Sequence, residues 1–125
     1  MITGNVDSHH KPVVTVQVSG PTASIELTIV LDTGFSGFLA LPDTLIQELG
    51  LAFSGTTVGL LANGTRTVMA VYEGTIFWDG RVRDIEVLET DGPSLIGMGL
   101  LYGHLLAVEC VDGGKVLITP LPVGS

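Results

Sequence analysis

The stretch Ile29-Val30-Leu31-Asp32-Thr33-Gly34-Phe35-Ser36-Gly37 places a carboxylate where a strongly apolar run gives way to a loop. Burial at the end of such a run disfavours the charged form of Asp32. Thr33 brings a hydroxyl able to bond across to a neighbouring chain, and Gly34 lets that backbone approach without a Cβ in the way. These are the parts needed to hold one carboxylate beside another. A plainer reading fits the same residues, a turn in which Asp32 caps backbone amides, as any Asp-x-Gly can.

Working outward, Val14, Val16 and Val18, then Ile25, Leu27, Ile29 and Leu31, keep a period of two on either side of Ser19-Gly20-Pro21-Thr22. That pattern predicts a β-hairpin. Downstream, Leu41-Pro42-Asp43 leads into Leu45, Ile46 and Leu49 with Gly50 as a stop, which predicts a helix of about two turns. Residues 56–61 and 65–77 flank Ala62-Asn63-Gly64, and Asn-Gly suits a tight left-handed turn, so a projecting hairpin is expected there. Asp79-Gly80 predicts a second turn into residues 82–88, with Val82, Ile85 and Val87 on one buried face and Trp78 at a core edge or rim. After Pro93, Leu95-Ile96 runs into Gly97-Met98-Gly99, then an apolar stretch read as a short second helix to Leu106. Residues 107–111 and 115–119 are expected to close as strands across Asp112-Gly113-Gly114. A faint internal repeat is present, because residues 29–34 and 94–99 both carry an apolar strand into a glycine loop.

Composition narrows the class. Hydrophobic residues make up 46% of the 125 and charged ones 14%, too apolar for a disordered chain, while Gly, Pro and charge interrupt every candidate membrane span. The 17 glycines and 6 prolines punctuate short apolar runs, so strands are expected to dominate in one domain over residues 1–125. A net charge of −8, with five scattered basic residues, gives nucleic acid no clustered cationic face. The lone Cys110 lies in the apolar run 105–111 and is expected to be a buried thiol. The first residues lack a basic flank and an apolar core, so no signal peptide is expected and the default compartment is cytoplasmic. Asn63-Gly64-Thr65 forms a glycosylation sequon that, without secretion, signifies only a turn.

The ordered set of an apolar strand into Asp32-Thr33-Gly34, then Ser36-Gly37, a turn-bearing hairpin and Leu95-Ile96-Gly97 resembles the retropepsin-like aspartic protease family, including its small bacterial members. The resemblance spans residues 13–119. It implies an all-β, closed β-barrel-type acid protease subunit with one or two short helices. It further implies Asp32 as the catalytic carboxylate, Thr33 and Gly34 holding its loop, and Phe35, Ser36 and Gly37 beside substrate. Leu61, Ala62, Asn63 and Gly64 match the family's flap, which closes over a peptide or protein substrate. Leu95-Ile96-Gly97 resembles the strand that passes behind the catalytic loop. A single Asp-Thr-Gly in a chain of one-lobe size implies a homodimer pairing two Asp32 carboxylates, and the apolar run 116–123 is expected to contribute to its interface. No metal or other cofactor is implied. Two departures stand out: Phe35 replaces a small residue, and Ser36 and Gly37 stand where viral members have acidic residues.

Other chemistries fit less well. Gly34-Phe35-Ser36-Gly37 lacks the residue between Ser and the second Gly that a nucleophile elbow needs. Gly97-Met98-Gly99 has no acidic residue about twenty positions on in a βαβ unit, so it is not a dinucleotide fingerprint. His9 and His10 read as a solvated tail and His104 as a partly buried ring, without metal-ligand spacing. The alternative of another class is a protease-like peptide-binding or dimerisation module that does not cut. A module of that kind has no need for Asp32 on the dimer axis.

Overall fold

The computed structural model describes residues 1–60 and 63–122. It opens with β1 (Ile2–Val6), a strand not anticipated from its sequence. Gly4 and Asn5 are poor strand formers, and β1 exists because it is hydrogen-bonded on both sides, to β2 (Pro12–Ser19) and to β10 (Lys115–Pro120). His9 and His10 therefore sit in an exposed turn between two strands, not in a tail.

The expected hairpin is β2 with β3 (Ser24–Leu31), paired Val14↔Ile29, Val16↔Leu27 and Val18↔Ile25. Its alternation places Val14, Val18 and Ile29 in the core. A short β4 (Leu39–Leu41), buried at every position, precedes α1 (Asp43–Leu49). Pro42 caps α1 from outside, in extended geometry, and Gly50 ends it at φ 70°.

Next come β5 (Ala52–Leu60), β6 (Arg66–Trp78) and β7 (Arg81–Glu89). Asp79 and Gly80 both have positive φ, at 50° and 82°, the left-handed pair that joins β6 to β7 as a two-residue turn. The Asn63-Gly64 turn differs from expectation. Only Gly64 is left-handed, at φ 84°, and Asn63 instead accepts the Thr65 N–H on its side-chain oxygen.

Val82 also departs from the expected buried face: it is 72% exposed while Ile85 and Val87 are buried. The strand period of two makes this unavoidable, since an even-numbered residue cannot share a face with 85 and 87. Trp78 lies deeper than a rim residue, 2% exposed, with its ring edge-on to His104.

The chain finishes with β8 (Leu95–Ile96), α2 (Met98–Leu101), β9 (His104–Val108) and β10. The second helix stops at Leu101, short of Leu106, because Gly103 turns the chain at φ 83° and His104 begins a strand. Cys110 is exposed, contrary to the buried thiol expected. The apolar run around it is an outer strand followed by a turn, with one face left open, so Leu105 and Val111 are also exposed.

Hydrogen-bonded neighbours run β5-β6-β7-β4-β8-β3-β2-β1-β10-β9, and a further β2–β6 pairing through Gln17↔Phe77 to Ser19↔Thr75 returns the ladder on itself. Six strands, β2, β3, β8, β4, β7 and β6, thus form a circuit around the buried side chains. The fold is all-β with two short helices, as the sequence implied. Outside the circuit, β5 and β9 are the terminal strands of the order. Among the described residues no helix is long and apolar enough to cross a membrane.

Candidate active site

Asp32 is placed by the strand that precedes it. Val30 and Leu31 of β3 run parallel to Leu95 and Ile96 of β8, and the ladder continues one step further, with the Asp32 N–H donating to the Ile96 carbonyl at 2.8 Å. On its other side β8 pairs antiparallel with β4, Leu39 opposite Ile96. The loop of residues 32–38 therefore leaves one neighbour of β8 and returns as the other, arching over the end of β8. Leu39 and Ile96, both fully buried, anchor its two ends.

Three backbone hydrogen bonds strap this arch to the start of α2. Gly97 N–H donates to Phe38 O at 3.1 Å, Met98 N–H to Phe35 O at 2.7 Å, and Gly99 N–H to Gly37 O at 2.9 Å. The approach is so close that a Cβ on Gly97 would stand 2.5 Å from the Phe35 carbonyl oxygen, and one on Gly99 2.9 Å from that of Gly37. Gly97, the glycine expected from sequence to pass behind the loop, is therefore required by space, and so is Gly99. Sequence reasoning named Leu95-Ile96-Gly97 without seeing that Met98 and Gly99 complete the strap. The faint repeat was the available signal.

Asp32 itself is half-buried. Its Oδ1 accepts the Gly34 N–H at 2.9 Å, and its carbonyl accepts the Phe35 N–H at 3.1 Å. The capping role is thus realised by one carboxylate oxygen. Among the described residues the N-terminal amine of Met1 pairs with Asp79, His104 Nε2 lies 3.8 Å from the same carboxylate, and no Lys, Arg or His contact of this kind reaches Asp32. Thr33, Gly34 and Ser36 are exposed, whereas Phe35 and Gly37 are half-buried.

Thr33 borders a groove of about 520 Å³ whose other walls include Val6, Leu31, Leu106, Val108 and Cys110. This groove joins the Asp32 loop to β9. The hairpin of β5 and β6 lies elsewhere in the order. Its outer half, from Thr56↔Ala70 to Leu60↔Arg66, precedes the point where β6 meets β7 at Val71↔Leu88, so among the described residues these have only each other as strand partners. Val58 and Val68 face each other there, 62% and 69% exposed. Asn63 and Gly64 at the tip are exposed, and Leu61 and Ala62 lie outside the described residues. Of the histidines, His104 Nδ1 donates to Tyr102 O at 3.1 Å, and its Nε2 sits 3.8 Å from Asp79.

No family model matches the chain, and no curated protein matches it. Among solved structures it is similar to a retropepsin-like aspartic protease from Rickettsia conorii, with a TM-score of 0.58 and 18% sequence identity over 94% of this chain and 88% of that one. At that identity the likeness is one of fold.

Proposed function

We propose that this chain is one subunit of an aspartic endopeptidase whose active site forms when Asp32 of one copy meets Asp32 of a second. The observation that carries the reading is the seating of Asp32: a carboxylate strapped through backbone bonds at an exposed loop, uncommitted to any cation, within a fold similar to that of an aspartic protease.

Two carboxylates about 3 Å apart cannot both ionise and share one proton. The ionised member takes a proton from a water molecule as the water oxygen bonds to the scissile carbonyl carbon. The protonated member gives its proton to the carbonyl oxygen. Collapse of the resulting gem-diol transfers a proton to the amide nitrogen and breaks the C–N bond. Thr33 and Gly34 hold the two loops together in this reading. Ser36 and Gly37 line the substrate with Phe35, and the hairpin tip, residues 61–64, closes over it.

The sheet order favours one way of pairing copies. In this chain residues 116–118 of the run expected to join a partner are bonded on both sides, to β1 and β9, and residues 119–120 on the β9 side. Of the two terminal strands, β9 is the one beside the groove that reaches Thr33. A two-fold contact there brings equivalent loops toward one axis.

The test is incubation of purified protein with a diverse peptide library beside its Asp32→Asn variant. Cleavage by the wild type that the variant lacks supports the reading. Peptide binding without cleavage would replace it with a non-catalytic module.

A further inference from the structure

The ring of Phe35 has an unusual setting. A Cβ on Gly37 would stand 2.5 Å from Phe35 Cζ and 2.7 Å from Cε1, and its third nearest neighbour is also in that ring. On the other side, a Cβ on Gly97 would lie 2.6 Å from Phe35 Cδ2. The phenyl group is therefore folded back into a notch whose walls are two glycines, one in the Asp32 loop and one in the strap behind it. The backbone of the same residue joins both parts, its N–H to the Asp32 carbonyl and its carbonyl to the Met98 N–H.

We infer that Phe35 is a positioning residue, its ring a peg that fixes the Asp32 loop on the end of β8. This role goes beyond substrate contact and rests on Asp32 being the catalytic carboxylate. A loop crossed by exposed Thr33, Gly34 and Ser36 has few side-chain contacts of its own. The ring supplies an apolar contact that ties residue 37 to residue 97 across the strap. Losing it frees the segment that carries Asp32 without removing any group that touches the reacting atoms.

Gly37 makes the idea testable, because the Phe35 ring supplies its three nearest obstructions, whereas Gly97 is also hemmed by backbone oxygens. Four proteins are compared: wild type, Phe35→Ala, Gly37→Ala and the double variant. Peptide cleavage and amide hydrogen exchange of residues 33–38 are measured on each, with Phe35→Leu as a conservative control. Phe35→Ala should lower kcat on the order of tenfold, a larger change than in KM, because misplacing a catalytic group weakens the chemical step more than binding. Loop exchange should quicken in step, and Phe35→Leu should recover part of both. Gly37→Ala should be more harmful beside Phe35 than in the Phe35→Ala background, where the ring no longer obstructs the added methyl. Independent, additive effects, or a Phe35→Ala protein with unchanged kcat and exchange, would overturn the peg. Coupled exchange in a protein that cleaves no peptide would uphold the peg as a loop anchor and discard the peptidase reading. Cleavage abolished by Asp32→Asn without Phe35–Gly37 coupling would do the reverse.

Discussion

Ile96 stands beside Leu31 in a parallel ladder, and its carbonyl accepts the amide hydrogen of Asp32. The side chain of Ile96 is fully buried, so its packing and the placement of Asp32 are coupled through one residue. Ile96→Ala should destabilise the fold by about 2–5 kcal/mol, the range for a large apolar side chain removed from a close-packed core. Because β8 seats the loop, kcat per folded protein should also fall. Val18→Ala, equally buried but on β2, should reduce stability while leaving kcat unchanged. Denaturant unfolding and cleavage assays on both variants check the pair, and equal kcat losses would remove the special role of β8.

Asp32→Asn should abolish cleavage while the protein remains folded and paired, since the amide has nearly the carboxylate's shape but cannot pass a proton to and from water. Its side-chain oxygen can still accept the Gly34 N–H. Circular dichroism and sedimentation should match wild type. Cleavage at the wild-type rate would place the chemistry elsewhere.

The relation of Leu31 to Ile96 was partly legible beforehand. The faint repeat aligned residues 29–34 with 94–99, and the same alignment pairs Val30 with Leu95 and Leu31 with Ile96 in the ladder. Alternating apolar residues also marked β2 and β3, because burial of one sheet face imposes a period of two. What periodicity cannot convey is which elements find partners. β1 has weak strand propensity and depends on neighbours remote in sequence. Cys110 and Leu105 are apolar yet exposed, since β9 ends the strand order and nothing covers its outer side among the described residues. The Phe35 ring depended on a notch made by Gly37 and Gly97, residues distant in sequence, and no local pattern announces such a fit.

Asp7 gives a pH dependence that is independent of catalysis. Its Oδ1 accepts the Lys11 and His9 N–H groups, both at 2.9 Å, holding the turn from β1 to β2. The Lys11 amide is the larger cause of a carboxyl held below its usual range, with burial opposing and the His9 amide adding to it. A depressed folded value means that ionised Asp7 contributes stability above the unfolded value, which is about 3.9, and that the contribution is lost as pH falls through the folded value. Unfolding midpoints measured from pH 6 downward should therefore drop less steeply in Asp7→Asn than in wild type. Parallel curves would show that the turn adds no proton linkage.

The open edge of β9 yields the last expectation, which concerns assembly. An unpaired strand edge is a template for another strand, and charges placed on it discourage pairing. Leu105 and Ala107 are exposed on β9, so Leu105→Lys with Ala107→Lys should leave the folded subunit nearly unchanged in stability, as exposed substitutions generally do. If β9 is the seam, the double variant should dissociate at higher concentration than wild type. Its activity per subunit should fall on dilution and return on concentration, because the proposed site needs both copies. Each chain carries a net charge of −8, so copies repel and moderate salt should strengthen wild-type association by screening. Thr57→Lys on β5, the terminal strand at the opposite end of the order, serves as the comparison. Sedimentation and dilution assays on the three proteins decide the matter. Loss of pairing only in the β9 variant supports the seam, equal loss in both points to general charge effects, and a β9 variant that pairs as tightly as wild type removes this edge from the interface.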